Sequence, residues 1–389
     1  MDINQLLKLA IEKGASDLHL KAGSYPMARI NGLLAPVTTE RKLDPDNLVD
    51  MAAAVLPAAH RQRFKDSLEV DIAYSVTGLG RFRCNVFQQR GTIGMVLRVI
   101  PVGVRGVDEL GLPPVLKKVA AEERGLILVT GTTGSGKSTT LAAMIDQINH
   151  TRSTNIITIE DPIEYLHRDN SSIVSQREVG ADTKSFAAAL RSALRQDPDV
   201  ILVGEMRDME TLETALHAAE TGHLVFSTLH TVDATETINR IISVFPPHQQ
   251  KQIRIQLASV LKAAIAQRLI PTADGESRVP AVEVLISTAF IKDCILDKDK
   301  THLIPSAIAQ GTSQYGMQTF DQSIFTLFGQ NKVTLDEALK WATNVDEFKL
   351  KVQGVSTTSD LSRDQMASTV VGKLGTSSTR APEITRFGQ

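Results

Sequence analysis

GLILVTGTTGSGKSTTLAAMIDQI, residues 125–148, is the stretch whose reading decides the fold. Residues 126–129 form a short apolar run that reads as a buried strand, and the chain from Thr139 onward reads as a helix with few breakers. Between them, residues 131–138 spell G-x-x-x-x-G-K-S. Glycine carries no Cβ, so such a turn lets the backbone approach a phosphate closely. Backbone N–H groups and the helix N-terminus then face the anion. The pattern predicts a nucleoside triphosphate site with Lys137 on the β- and γ-phosphates and Ser138 on Mg²⁺.

Further apolar strands are expected at residues 156–159, 200–203 and 224–227, alternating with helical stretches. That alternation marks an α/β fold with a mostly parallel sheet. Polar residues follow each strand at its C-terminal end, the edge where open α/β sheets bind ligands. After the second strand stand Glu160, Asp161, Pro162, Ile163 and Glu164, whose carboxylates can polarise water, approach Mg²⁺ or simply cap the next element. After the third comes Glu205, placed as a Walker B acid that holds Mg²⁺ directly or through water. His223 and His230 bracket the fourth strand, and both are expected beside the nucleotide edge, where a neutral imidazole can donate to phosphate or hold a carboxylate.

Upstream, Ile3, Leu6, Leu7, Ala10 and Ile11 lie on one helical face, with Asp2 as cap and Gly14 as terminator. Leu18 and Leu20 alternate with Asp17, His19 and Lys21 as a half-buried strand, and Asn31-Gly32 signals a hairpin. One helix is expected over residues 45–65. Phe82, Cys84 and Val86 alternate with Arg81, Arg83 and Asn85, which places the arginines on the opposite face of a strand, and residues 94–100 read as another strand. Gly and Pro cluster over residues 101–115, the expected linker between an N-terminal domain (1–100) and the nucleotide domain (116–355). Residues 356–389, rich in Ser, Thr, Arg and Gly, are expected to form a disordered tail.

The 389 residues suffice for two domains, and 42% hydrophobic with 22% charged residues is ordinary for a globular chain. A net charge of −2 argues against a dedicated nucleic-acid binder. The two cysteines, Cys84 and Cys294, form no CxxC pair, so a four-cysteine zinc site is excluded and a reducing compartment fits. The N-terminus lacks the pattern of a signal peptide, and no run of 18 apolar residues occurs. Membrane work is therefore expected to go through partners.

The four strand-end clusters, in this order, resemble the secretion ATPase superfamily, whose members power type IV pili and type II and type IV secretion. GASDLHLKAGSYPMARING, RFRCNVFQQRG, GTTGSGKSTT, TIEDPIEYLH, LRQDPDVILVGEMRD and TGHLVFSTLHT narrow the resemblance to the retraction ATPases of twitching motility, over roughly residues 1–345. The resemblance implies a PAS-like N-terminal domain, a RecA-like ATPase domain and a homohexamer with ATP at its subunit interfaces. It implies a cytoplasmic motor at the inner membrane face, acting on the pilus platform protein and not on nucleic acid. Residue by residue, it implies Thr133, Gly134, Ser135, Gly136, Lys137, Ser138 and Thr139 on the nucleotide, with Ser138 and Glu205 also on Mg²⁺. Glu164 matches the general base, and His223 and His230 match the histidine box. Arg81, Arg83, Arg90 and Arg98 match positions that complete the site, some from a neighbouring subunit.

Pilus-assembly and type II secretion ATPases resemble the chain in the core, but they usually carry a larger N-terminal region and a four-cysteine insertion. Their absence favours retraction. One departure stands out: where retraction ATPases carry an AIRNL-like helix, this chain reads STAFIKDCIL, with Phe290, Lys292 and Cys294 replacing a small residue, an arginine and an amide. That departure suits an accessory retraction paralogue. A RecA-like nucleic-acid translocase would want basic or aromatic channel loops, and a single tryptophan speaks against them. A small-molecule kinase would want an acceptor pocket and a lid.

Overall fold

The computed structural model describes residues 2–30, 32–101 and 103–354. The expected disordered tail, and Asn31 of the expected hairpin turn, lie outside the described residues.

The N-terminal part builds a six-stranded sheet from β1 (Asp17–Lys21), β2 (Met27–Ile30), β3 (Leu33–Pro36), β4 (Glu69–Val76), β5 (Gly80–Gln89) and β6 (Thr92–Ile100), in the order β3-β2-β1-β6-β5-β4. Every pairing in it is antiparallel. The helix Ile3–Glu12 buries Ile3, Leu6, Leu7 and Ala10, and the Asp2 carboxylate accepts the Asn4 N–H at 3.2 Å. Phe82, Cys84 and Val86 are fully buried in this core, and Arg83 and Arg98 remain on the exposed side of their strands. Each aliphatic or aromatic side chain so buried contributes roughly 1.5–3 kcal/mol. Gln89 pairs with Thr92, so Arg90 (φ 48°) and Gly91 (φ 75°) form a two-residue turn with both residues left-handed.

The single helix expected over 45–65 is two, Pro45–Val55 and Ala58–Ser67. Pro57 removes a backbone donor and pushes the preceding residue out of the helical region; Leu56 is indeed extended, at φ −81° and ψ 114°.

The second sheet has seven strands: β7 (Gly125–Thr130), β8 (Asn155–Glu160), β9 (Ile173–Glu178), β10 (Val200–Val203), β11 (Leu224–Leu229), β12 (Leu261–Pro271) and β13 (Arg278–Ile286). Their order is β13-β12-β7-β11-β10-β8-β9, parallel except for the antiparallel pair β12–β13. β7, β10 and β11 are buried at every residue, which is why apolar residues dominate them. The edge strand β9 mixes charge with apolar residues, and β12 follows the helix Pro247–Val260 without a loop, so neither announces itself by periodicity. The C-terminal helices bury Phe320, Ile324 and Phe348 against Ala266 and Ile270 of β12, with the Arg268 guanidinium 3.9 Å from the centre of the Phe320 ring. Among the described residues no helix is long and apolar enough to cross a membrane.

Candidate active site

The turn after central strand β7 delivers residues 131–136 to the helix Lys137–Thr151. Gly131 has φ 140°, and a Cβ there would lie 2.4 Å from the Gln267 carbonyl oxygen. Gly136 has φ 91°, and a Cβ there would lie 2.7 Å from Gln267 Nε2. Both glycines are thus required by backbone conformation and by close approach to β12. The buried Gln267 amide also accepts the Thr140 hydroxyl at 2.7 Å, seating the first turn of the helix on β12.

That helix has no side-chain cap at its N-terminus, whereas the helices starting at Met209, Ala234, Ala289 and Phe320 are capped by Asp208, Asp233, Thr288 and Thr319. An uncapped N-terminus keeps N–H donors and the positive end of the helix dipole for an external anion. Lys137 is buried, and its Nζ donates to the carbonyls of Gly131 at 2.8 Å and Thr132 at 3.0 Å. Burial pushes its pKa down, while the charges of Glu205 and Glu164 act in the opposite direction. Both carboxylates therefore direct their field at the lysine expected to meet phosphate.

These groups line one cleft of about 480 Å³, which also contains Thr133, Gly134, Gly136, Ser138, Thr139 and His230. Ser135 does not line it. That side chain is buried with its hydroxyl unpartnered, and its N–H donates to the Thr132 carbonyl at 3.2 Å.

Glu205 lies two residues beyond the end of β10 and receives Arg207 Nε at 2.6 Å and His230 Nε2 at 3.2 Å on the same oxygen. Burial pushes its carboxyl up, and the hydrogen bonds and charges of Arg207 and His230 more than reverse this, leaving it below the ordinary value. The loop that carries Glu164 is held at its base by two carboxylates. Glu160 accepts from Thr158 at 2.7 Å and Gln176 at 3.0 Å, with its pKa raised by burial, and Glu178 accepts the Ile163 N–H at 3.1 Å.

His223 departs from expectation. It precedes β11 and His230 follows it, and six strand residues separate the two edges of the sheet by roughly 20 Å. His223 sits at the edge away from the P-loop, its Nδ1 2.8 Å from the Ala218 carbonyl, and does not line the cleft of its own chain. The four arginines are also absent from that lining. Arg81 reaches from β5 to Glu178 at 3.0 Å, and Arg98 pairs with Asp17 at 2.8 Å. Arg83 is 3.9 Å from Asp71, and Arg90 stands exposed in its turn.

Cleft residues outside the expected set include Tyr165, Arg207, Leu269 and Arg278. The Tyr165 hydroxyl lies 2.8 Å from Thr139 Oγ1. Arg278 arrives through β12–β13 pairing opposite Pro271, and a residue so far from the P-loop in sequence carries no local signal. Arg207 lies two residues beyond Glu205 and could have been found there. Among the described residues, no group of three His, Cys, Asp or Glu could hold a metal. The Ser138 hydroxyl and the Glu205 carboxylate both line the cleft, oxygen donors of the kind that suit Mg²⁺.

The family model for type II/IV secretion system proteins matches residues 1–322. The type IV pilus ATPase PilU of Pseudomonas aeruginosa is 43% identical over 353 residues, covering 91% of this chain and 92% of that protein. The type IV pilus retraction ATPase PilT of the same organism is 45% identical over 348 residues, covering 90% and 100%. The crystal structure of the pilus retraction motor PilT with bound ADP superposes with a TM-score of 0.82 at 48% identity, covering 89% of this chain and 98% of that one. With its P-loop cleft and this match over most of its length, the chain belongs to the type II/IV secretion system protein family.

Proposed function

We propose that the protein is an ATP-hydrolysing motor that drives type IV pilus retraction. The observation that carries this reading is the convergence of Lys137, Glu164 and Glu205 on one cleft beside an uncapped helix N-terminus. Lys137 and the loop N–H groups hold the β- and γ-phosphates of ATP. Glu164 takes the proton of the attacking water as its oxygen bonds to the γ-phosphorus, and ADP leaves with the bridging oxygen. Ser138 and Glu205 would hold Mg²⁺, which would supply positive charge beside the transferred group. Arg83 and Arg90, both exposed, are available to a neighbouring subunit and complete its site in a homohexamer.

The division into residues 1–100, 101–115 and 116–355 supplies the moving parts of the motor. The two sheets have separate apolar cores, one around Phe82 and Leu18 and one around Phe226 and Ile127, which supports domain rotation about the intervening segment. The protein works in the cytoplasm at the inner membrane face and transmits force to the pilus platform protein. Deletion of the gene is expected to give hyperpiliated cells that do not twitch, restored by the wild-type gene and not by Lys137→Ala. Normal piliation and motility in the deletion strain would refute this reading.

One observation favours a second reading, an accessory retraction ATPase. The helix Ala289–Leu296 presents Phe290 at 50% exposure where the retraction pattern has a small residue. A deletion phenotype that appears only under load or in a strain weakened in a second retraction ATPase supports that alternative.

A further inference from the structure

Arg81 of β5 forms an ion pair with Glu178 at the end of β9, at 3.0 Å across 97 residues of sequence, with both partners largely buried. Their side chains are 18% and 8% exposed, so little solvent screens the pair. The same carboxylate oxygen, Glu178 Oε2, accepts the buried Ile163 N–H at 3.1 Å. Ile163 immediately precedes Glu164. Glu178 is itself anchored, because its backbone N–H donates to the Asp182 carboxylate at 2.8 Å. A single oxygen atom thus ties the N-terminal sheet to the loop that bears the general base of the proposed reaction.

The arginine end is the yielding part. Arg81 Nε is buried with no acceptor, and Nη1 reaches only the Ser75 hydroxyl at 3.4 Å. A guanidinium with an orphaned donor is incompletely satisfied in this position, while Glu178 and Ile163 belong to one sheet and its adjoining loop. Movement of the N-terminal sheet therefore withdraws a cation from the oxygen that holds Ile163.

We propose that Glu178 is a positioning residue: through its shared oxygen it places Glu164 for catalysis when Arg81 is engaged, and it loosens that loop when the N-terminal sheet moves away. The proposal rests on the ATPase reading and adds to it a link between domain orientation and the chemical step. Arg81 holds the Glu178 side chain in the orientation that keeps Oε2 on the Ile163 N–H, so loss of the arginine frees the carboxylate to turn away and reaches Ile163 without any contact between the two.

The test compares full-length wild type with Glu178→Ala, Glu178→Gln, Arg81→Gln and the Arg81→Gln/Glu178→Gln double variant. Phosphate release gives kcat, titration with a fluorescent non-hydrolysable ATP analogue gives Kd, and thermal unfolding gives Tm. Glu178→Ala is expected to lower kcat about tenfold with Kd within about twofold of wild type. Glu178→Gln, which keeps an acceptor for Ile163, is expected to recover part of that loss. The double variant is expected to be no slower than the slower single variant, because the two side chains act as one unit. Wild-type kcat in Glu178→Ala overturns the proposal, as do additive losses in the double variant or a parallel decline of kcat, Kd and Tm. Slow turnover in Arg81→Gln alone, with Glu178→Gln unaffected, assigns Arg81 elsewhere and also overturns it. Absence of hydrolysis by the wild type refutes the ATPase reading itself, whereas an active wild type with an unaffected Glu178→Ala refutes only this inference.

Discussion

His230 Nε2 stands 3.2 Å from Glu205 Oε1, across the ends of the neighbouring parallel strands β11 and β10. The register that pairs Val203 with Ser227 brings the residues beyond these strands side by side at the C-terminal edge of the sheet. Arg207 Nε shares the same oxygen at 2.6 Å, so the carboxylate is held ionised by two partners without closing the cleft. Glu205→Gln keeps the shape and loses the charge. It is expected to leave ATP analogue affinity within a few-fold of wild type and to lower kcat by about a hundredfold or more, read by phosphate release. Because its carboxyl lies below the ordinary value of 4.5, Glu205 stays ionised throughout the neutral range, and a loss of turnover between about pH 6 and 8 must arise from another group.

Lys137 carries the opposite charge in the same cleft. Its Nζ rests on the Gly131 and Thr132 carbonyls, which can release it to a phosphate without a change in backbone. Lys137→Ala removes a buried ammonium that burial already disfavours, so folding is expected to survive, with Tm within about 4 °C of wild type. Nucleotide affinity is expected to fall about a hundredfold or more, measured by titration of the fluorescent analogue.

The glycines of the loop separate conformational from steric cost. Gly134 has φ 79° with nothing within 4 Å of a built Cβ, so Gly134→Ala meets only the left-handed penalty, about 1–2 kcal/mol. Gly131→Ala meets a backbone carbonyl at 2.4 Å as well, and neither β7 nor β12 can retreat, because both are interior strands paired on each side. Its loss of stability is expected to exceed that of Gly134→Ala by about 2 kcal/mol or more, read as a difference in urea midpoints at equal m-value.

Glu283 makes a pH-dependent contribution. Burial pushes its carboxyl up to about 7, with Asp233 and Asp321 acting in the same sense and the Ala234 N–H and Arg268 opposing. A carboxyl whose folded pKa is raised above its unfolded value of 4.5 supports the fold below that value, and the support is lost as pH rises toward about 7. The full swing is about 3 kcal/mol. Glu283→Gln keeps an acceptor for the Ala234 N–H and cannot ionise, so its stability relative to wild type is expected to rise between about pH 5 and pH 7.5 and then level off. A difference that does not vary with pH would show that Glu283 remains charged in the fold.

Legibility in the sequence followed the range of the interactions. The P-loop was readable because eight adjacent residues, 131–138, carry both its backbone requirement and its charge. Glu164 and Glu205 were readable because an apolar strand of a parallel sheet announces its own C-terminal end. The break at Pro57 is written in the chain, because proline removes a backbone donor and the polar stretch after it has no apolar face to continue the first helix. His223 was misplaced because a motif names residues without saying which edge of the sheet they occupy, and a strand of six residues sends its two flanks to opposite edges.

By itself, then, the sequence determined the elements whose chemistry is local: the buried parallel strands, the glycine turn, and the acids at strand ends. Tertiary structure alone decided what those elements meet. Gln267 reaches Thr140 across 127 residues, and Arg81 meets Glu178 across 97. Neither pairing leaves a periodic trace, because each depends on strand order and sheet-to-sheet placement. Those are set by the burial of whole apolar faces, while the polar partners are selected only once the faces have packed.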